Sequence, residues 1–159
     1  MRILFVCSGN TCRSPFAEGV ARAARPDLDV ASAGTTAVDG ASCPPEAVAA
    51  ASFLGVDLER HRACRLDPES VAAAQVVVAM DRHHADAAIA LGGAGKTRPL
   101  ADVPILDPYG GDEAEYRVRY TEIQAAVTAL LAELPTPHSP PWAGKEVHPP
   151  PAVSVPGKT

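Results

Sequence analysis

Val6-Cys7-Ser8-Gly9-Asn10-Thr11-Cys12-Arg13-Ser14-Pro15 is the stretch that orders the rest of the chain. On its N-terminal side, Ile3 to Val6 is a short apolar run that reads as a buried strand. On its C-terminal side, Pro15 to Ala24 reads as a helix, with Ser14 as N-cap and Pro15 at the first helical position. Between them, the five residues that separate Cys7 from Arg13 can fold round on themselves. Their backbone N–H groups then point inward at a tetrahedral anion, and the helix dipole adds positive potential. Gly9 and Asn10 are the residues that most readily adopt the positive φ such a loop needs.

The side chains fit that geometry. Amides that hold an anion also favour a thiolate, which makes Cys7 a candidate nucleophile. Arg13 offers a planar fork matched to two phosphate oxygens. Ser14 can donate its hydroxyl hydrogen to the Cys7 sulfur. Singly, each is an ordinary residue; in this order, between a strand and a helix, they describe a catalytic phosphate loop of Cys7, Ser8, Gly9, Asn10, Thr11, Cys12, Arg13 and Ser14.

Outward from the loop, apolar runs alternate with amphipathic stretches. Asp29 to Ala33 reads as a strand ended by Gly34, and Pro44 to Leu54 as an alanine-rich helix stopped at Gly55. Val76 to Met80 is the strongest strand signal. Asp81 caps a helix running to about Leu91, with His83-His84 read as a solvated helix face, and a strand is expected around Val103 to Leu106. From Asp112 to Leu134 the residues Tyr116, Tyr120, Ile123, Val127, Leu130 and Leu134 form one helical stripe expected to face a sheet. The alternation predicts an α/β fold, a parallel sheet with helices on both faces, whose ligands bind beyond the carboxyl ends of the strands.

The 159 residues suit one domain. From Pro135 the composition changes, since 8 of the 16 prolines lie in residues 135–159. The chain therefore divides into a domain at 1–134 and a proline-rich, disordered tail at 135–159, read as solvated although Pro137 and Pro140 have PxxP spacing. A net charge of −5 with no basic block argues against nucleic acid or an anionic membrane surface as partner. The apolar run before Cys7 is too short for a secretory signal, so a cytoplasmic location is expected, with Cys7, Cys12, Cys43 and Cys64 reduced.

VCSGNTCRSPFAEG, with SAG at 32–34, RHRACRL at 60–66 and DPYGG at 107–111, resembles the low-molecular-weight protein tyrosine phosphatase family, including its protein-arginine phosphatase branch. The resemblance covers residues 1 to about 134. It implies a four-stranded parallel sheet, Cys7 as the residue that forms a phosphocysteine intermediate, Arg13 as phosphate ligand and Asp107 as general acid. It also implies that Asn10, Ser32 and His61, with Ser14, support the loop. Asp107 suits its role independently, because Pro108 stiffens a loop that can reach the same rim. Cys12 lies five residues from Cys7 on a tightly curved loop, and a reversible Cys7–Cys12 disulfide, which the resemblance supports, would protect the nucleophile. Cys43 and Cys64 read as filler.

The expected activity is hydrolysis of phosphotyrosine on proteins, with phosphoarginine as the alternative. Thr11 and the DPYGG stretch with Tyr109 resemble the arginine-specific members, whereas tyrosine-specific members usually carry a bulky aliphatic residue in place of Thr11. An arsenate reductase would need further cysteines downstream, and none follows Cys64. A non-catalytic phosphate-binding module would have no reason to keep both nucleophile and acid. No cofactor or metal is implied, since thiolate, amides and Arg13 supply the chemistry. The working unit is expected to be a monomer or weak dimer acting on a phosphorylated protein.

Overall fold

A computed structural model describes residues 1–136, so the predicted tail lies outside the described residues beyond Thr136. The elements run β1 (Arg2–Cys7), α1 (Arg13–Ala24), β2 (Asp29–Gly34), α2 (Pro45–Phe53), α3 (Pro68–Ala73), β3 (Val76–Ala79), α4 (Arg82–Ala88), β4 (Thr97–Pro99) and α5 (Glu113–Glu133). The four strands form one parallel sheet in the order β2-β1-β3-β4. Because β1 has β2 on one side and β3 on the other, the connections leaving β1 and β3 open a crevice at the point where strand order reverses. The loop after β1 carries Cys7 to Arg13, and the loop after β3 carries Asp81.

Strand alternation divides the core into two faces. Ile3, Phe5 and Cys7 belong to the face that includes Phe16 and Val20 of α1 and the α5 stripe. Leu4 and Val6 point to the other, with Leu66, Val71 and Ala88. Helices thus cover both sides, as the sequence pattern requires. Phe16 stacks on Tyr120 with centroids 4.0 Å apart, a contact that contributes on the order of 1 kcal/mol beyond its buried area.

The structure departs from the sequence reading in four places, while the α5 stripe follows it. Helix α1 starts at Arg13 rather than Pro15, and the Ser14 hydroxyl is spent on Cys7 instead of capping. The fourth strand is Thr97–Pro99; Val103 and Leu106 are exposed loop residues. Only three residues pair with β3 at this edge, so no apolar alternation marks the strand. Helix α4 ends at Ala88 and passes into a single π turn over Ile89–Gly93, broken at Gly92 with φ 106°. The α5 stripe is buried through Leu130, on the sheet face that carries Ile3, Phe5 and Val78, and α1 and α2 flank it. Finally, α3 was not anticipated, although Asp67 and Ser70 form a capping box around Pro68.

Candidate active site

Cys7 ends β1 with its sulfur 2.9 Å from Ser14 Oγ. The direction of that hydrogen bond follows from the groups behind it. The Cys64 N–H donates to Asn10 Oδ1 at 2.9 Å, which fixes the amide so that Nδ2 donates to Ser14 Oγ at 2.8 Å and to Ser32 Oγ at 2.9 Å. Ser14 Oγ already accepts from Asn10, so its own hydrogen is directed at the Cys7 sulfur. Ser32 in turn donates to Glu18 Oε2 at 3.1 Å, and His61 Nε2 donates to the Asn10 carbonyl at 2.8 Å. Asn10 is the one non-glycine residue with positive φ, 53°, among those described. Its fully used side chain and carbonyl hold a conformation that costs an L-residue about 1–2 kcal/mol.

Arg13 is buried and reaches three acceptors. Nη1 donates to the Ile105 carbonyl at 3.0 Å and lies 3.8 Å from Asp81 Oδ2, while Nη2 is 3.4 Å from Asp107 Oδ2. Asp107 is half exposed, and its other oxygen accepts the Tyr109 N–H at 3.0 Å. Cys7, Ser8, Gly9, Thr11, Cys12, Arg13, Asp107 and Tyr109 line one cavity of about 160 Å³, large enough for a phosphate. Every residue expected in the catalytic set thus meets at one rim, while Ser32 and His61 stand behind it.

Four contributors were not read from the sequence. His84, read as solvated, is fully buried, with Nε2 2.7 Å from Ser8 Oγ; His83 is exposed as expected. Burial pushes His84 down to about 4, so the imidazole is neutral at pH 7, with Asp81 opposing that shift. The signal lay in helical spacing, since His84 and the buried Ala88 are four residues apart and share the inner face of α4. Tyr116 and Tyr120 of α5 do more than pack. Tyr116 Oη is 3.2 Å from Cys12 Sγ, and Tyr120 donates to the Cys12 carbonyl at 2.9 Å. Burial raises both phenols and the Cys12 thiol, so all three are protonated at neutral pH. Gly34 is required sterically: a Cβ there would lie 2.4 Å from the Ser8 carbonyl oxygen and 2.8 Å from the Asn10 nitrogen. Cys43 is buried, as filler should be, whereas the Cys64 thiol is exposed.

A parallel sheet that presents a cysteine and an arginine in one anion-sized loop, with a carboxylate facing them, has the architecture of cysteine-dependent phosphatases. Residues 2–138 match the sequence profile of the family described as low molecular weight phosphotyrosine protein phosphatase, and the chain belongs to that family. It is 32% identical to the Probable low molecular weight protein-tyrosine-phosphatase EpsP of Ralstonia nicotianae over 141 residues, covering 83% of this chain and 94% of the relative. Identity is also 32% to the Protein-arginine-phosphatase of Geobacillus stearothermophilus over 144 residues, covering 85% and 97%. Among solved structures, the tyrosine phosphatase AmsI of Erwinia amylovora superposes with a TM-score of 0.79 at 30% identity, covering 84% and 92%. The YwlE arginine phosphatase of Geobacillus stearothermophilus gives 0.77 at 33%, covering 82% and 90%.

Proposed function

We propose that this protein hydrolyses phosphotyrosine on proteins, with Cys7 as nucleophile, Arg13 as phosphate ligand and Asp107 as general acid. The observation that carries the reading is the convergence of the Cys7 sulfur, the buried Arg13 fork and Asp107 on one cavity. The Cys7 thiolate attacks phosphorus and forms the P–S bond, while Asp107 gives its proton to the departing phenolic oxygen. The Asp107 carboxylate then takes a proton from water, whose oxygen attacks phosphorus and releases the thiolate. Loop amides and Arg13 hold the equatorial oxygens in both steps. The hydrogen bond from Ser14 stabilises the sulfur whenever it carries charge.

Three further roles belong to this reading. Asn10, Ser32 and His61 keep the loop preformed. Cys12, buried and protonated beneath Tyr116, serves as the resolving thiol when Cys7 is oxidised. The setting is the cytoplasm, and the working unit is a monomer or weak dimer acting on a phosphorylated protein; among the described residues no helix is long and apolar enough to cross a membrane. Turnover of p-nitrophenyl phosphate should vanish in Cys7→Ser and fall about 100-fold in kcat in Asp107→Asn. Wild-type turnover that survives Cys7→Ser defeats the proposal.

Phosphoarginine is the second reading, and Thr11 favours it. This threonine lines the cavity beside Cys7, where a hydroxyl leaves room for a guanidinium that a bulky aliphatic side chain would crowd. Tyr109 on the opposite wall is exposed and can face either a phenyl ring or a guanidinium. Comparing kcat/KM on phosphotyrosyl and phosphoarginyl peptides in wild type and Thr11→Ile decides between them. A preference unmoved by Thr11→Ile removes this residue from the specificity argument.

A further inference from the structure

Asp81 in the loop after β3 and His83 and His84 at the start of α4 bring their ligand atoms together outside the catalytic cavity. Asp81 Oδ1 lies 2.8 Å from Nδ1 of His83 and 3.1 Å from Nδ1 of His84, and the three atoms fall within 4.8 Å of one another. His83 is solvent-exposed, so its imidazole contributes nothing to the core. His84 is fully buried with Nε2 engaged by Ser8 Oγ, yet its Nδ1, facing Asp81, has no partner of hydrogen-bond geometry among the described residues. A buried imidazole nitrogen in that condition is one of the features that calls for a specific explanation. Here it is directed at a carboxylate oxygen that a second imidazole also faces.

We propose that Asp81, His83 and His84 form a binding site for one divalent transition-metal ion of the zinc class. Two imidazole nitrogens and one carboxylate oxygen suit such an ion, with water completing the shell, whereas calcium or magnesium would demand more oxygen donors. The required tautomer is consistent with the neighbours. With its lone pair on Nδ1, neutral His84 donates Nε2–H to Ser8 Oγ, so the second ring nitrogen is held by an outer partner as in most metal-bound histidines.

The site is wired to the phosphate loop in two places, through Ser8 and through Asp81 Oδ2, which lies 3.8 Å from Arg13 Nη1. Asp81 offsets part of the positive field at Arg13. An ion on Asp81 cancels that offset, so anion binding at the loop tightens, and by reciprocity an anion in the loop tightens the ion. This coupling rests on Arg13 being the phosphate ligand; the ion site itself does not.

The test titrates Co²⁺ into the full-length Cys7→Ser chain, which removes the nucleophilic thiol as a competing ligand, and follows visible absorption with and without sulfate. One Co²⁺ per chain is expected, with the intense bands of four- or five-coordination. Adding His83→Ala, at an exposed position outside the catalytic set, should weaken Co²⁺ at least tenfold, and sulfate should raise the affinity several-fold only where His83 is present. In an otherwise wild-type chain His83→Ala retains metal-free turnover. Equal Co²⁺ affinity with and without His83 overturns the site. A tenfold loss with no sulfate effect supports the ion site and overturns its coupling to Arg13. Failure of p-nitrophenyl phosphate turnover strikes the phosphatase reading and leaves the Co²⁺ titration untouched.

Discussion

The phosphate loop is held from two sides, and the two holds are built differently. On the Asn10 side, Ser14, Ser32, Glu18, His61 and the Cys64 N–H form a connected network in which Asn10 uses every side-chain donor and acceptor it has. On the Ser8 side a single hydrogen bond joins the loop to α4 through His84, whose second nitrogen lacks a hydrogen-bond partner among the described residues, and Asp81 behind it shares its charge with Arg13. A network that is fully satisfied has one arrangement and serves to fix the loop. A hold with one ring nitrogen to spare can respond to what binds beside it.

The largest effect should come from the one substitution that strikes both sides. Gly34→Ala drives a Cβ into the Ser8 carbonyl and the Asn10 nitrogen, both backbone atoms that cannot step aside. Stability should fall by about 2–3 kcal/mol in urea unfolding, and kcat/KM by more than about 100-fold, as expected of overpacking against a fixed loop. Next comes Asn10→Ala, which removes three side-chain hydrogen bonds and leaves alanine at φ 53°. A loss of about 2 kcal/mol and a tenfold or larger fall in kcat are expected, since Ser14 is no longer turned toward the sulfur. Ser8→Ala, on the weaker side, removes one hydrogen bond and should cost about 1 kcal/mol with a few-fold change in KM. If Ser8→Ala proves as damaging as Asn10→Ala, the contrast between the two sides is wrong.

The smallest effect sharpens the contrast chemically. Cys64 supplies only its backbone N–H to Asn10, and its thiol is exposed. In the Cys7→Ser chain iodoacetamide at pH 8 should label Cys64 readily by mass spectrometry, with phosphate affinity unchanged. Cys43 should resist, because burial pushes its thiol up to about 12 and leaves almost no thiolate at pH 8. The sign also predicts a stability effect. A thiol raised in the folded state stabilises the fold below pH 9, the ordinary value, and that contribution is lost as pH rises from there toward about 12. Rapid labelling of Cys43 in the native protein would show that it is not packed as described.

The loop from Cys7 to Ser14 was legible because its logic is local. Cys7, Asn10, Arg13 and Ser14 lie within eight residues at the junction of a strand and a helix, and their spacing alone brings thiol, amides and guanidinium fork together. The short edge strand was not legible: Thr97–Pro99 has no apolar alternation and is defined only by pairing with Val77–Ala79. The more apolar Val103 to Leu106 instead supplies the Ile105 carbonyl that steadies Arg13. His84 escaped because adjacent histidines on a helix look alike in sequence, while a rotation of about 100° per residue buries one and exposes the other.

By itself the sequence predicted a parallel α/β fold and a loop that gathers a thiol, a guanidinium and inward amides, because each depends on residues close in the chain or on the period of apolar positions, while Asp107 as candidate acid rested on the resemblance. Only the tertiary structure decided how the groups behind the loop meet it. Ser32 and Gly34 on β2, His61 in the loop after α2, His84 on α4 and Tyr116 on α5 come from four separate segments, and the approach of one segment to another is set by sheet order and by helices packing across it. No spacing along the chain encodes that approach.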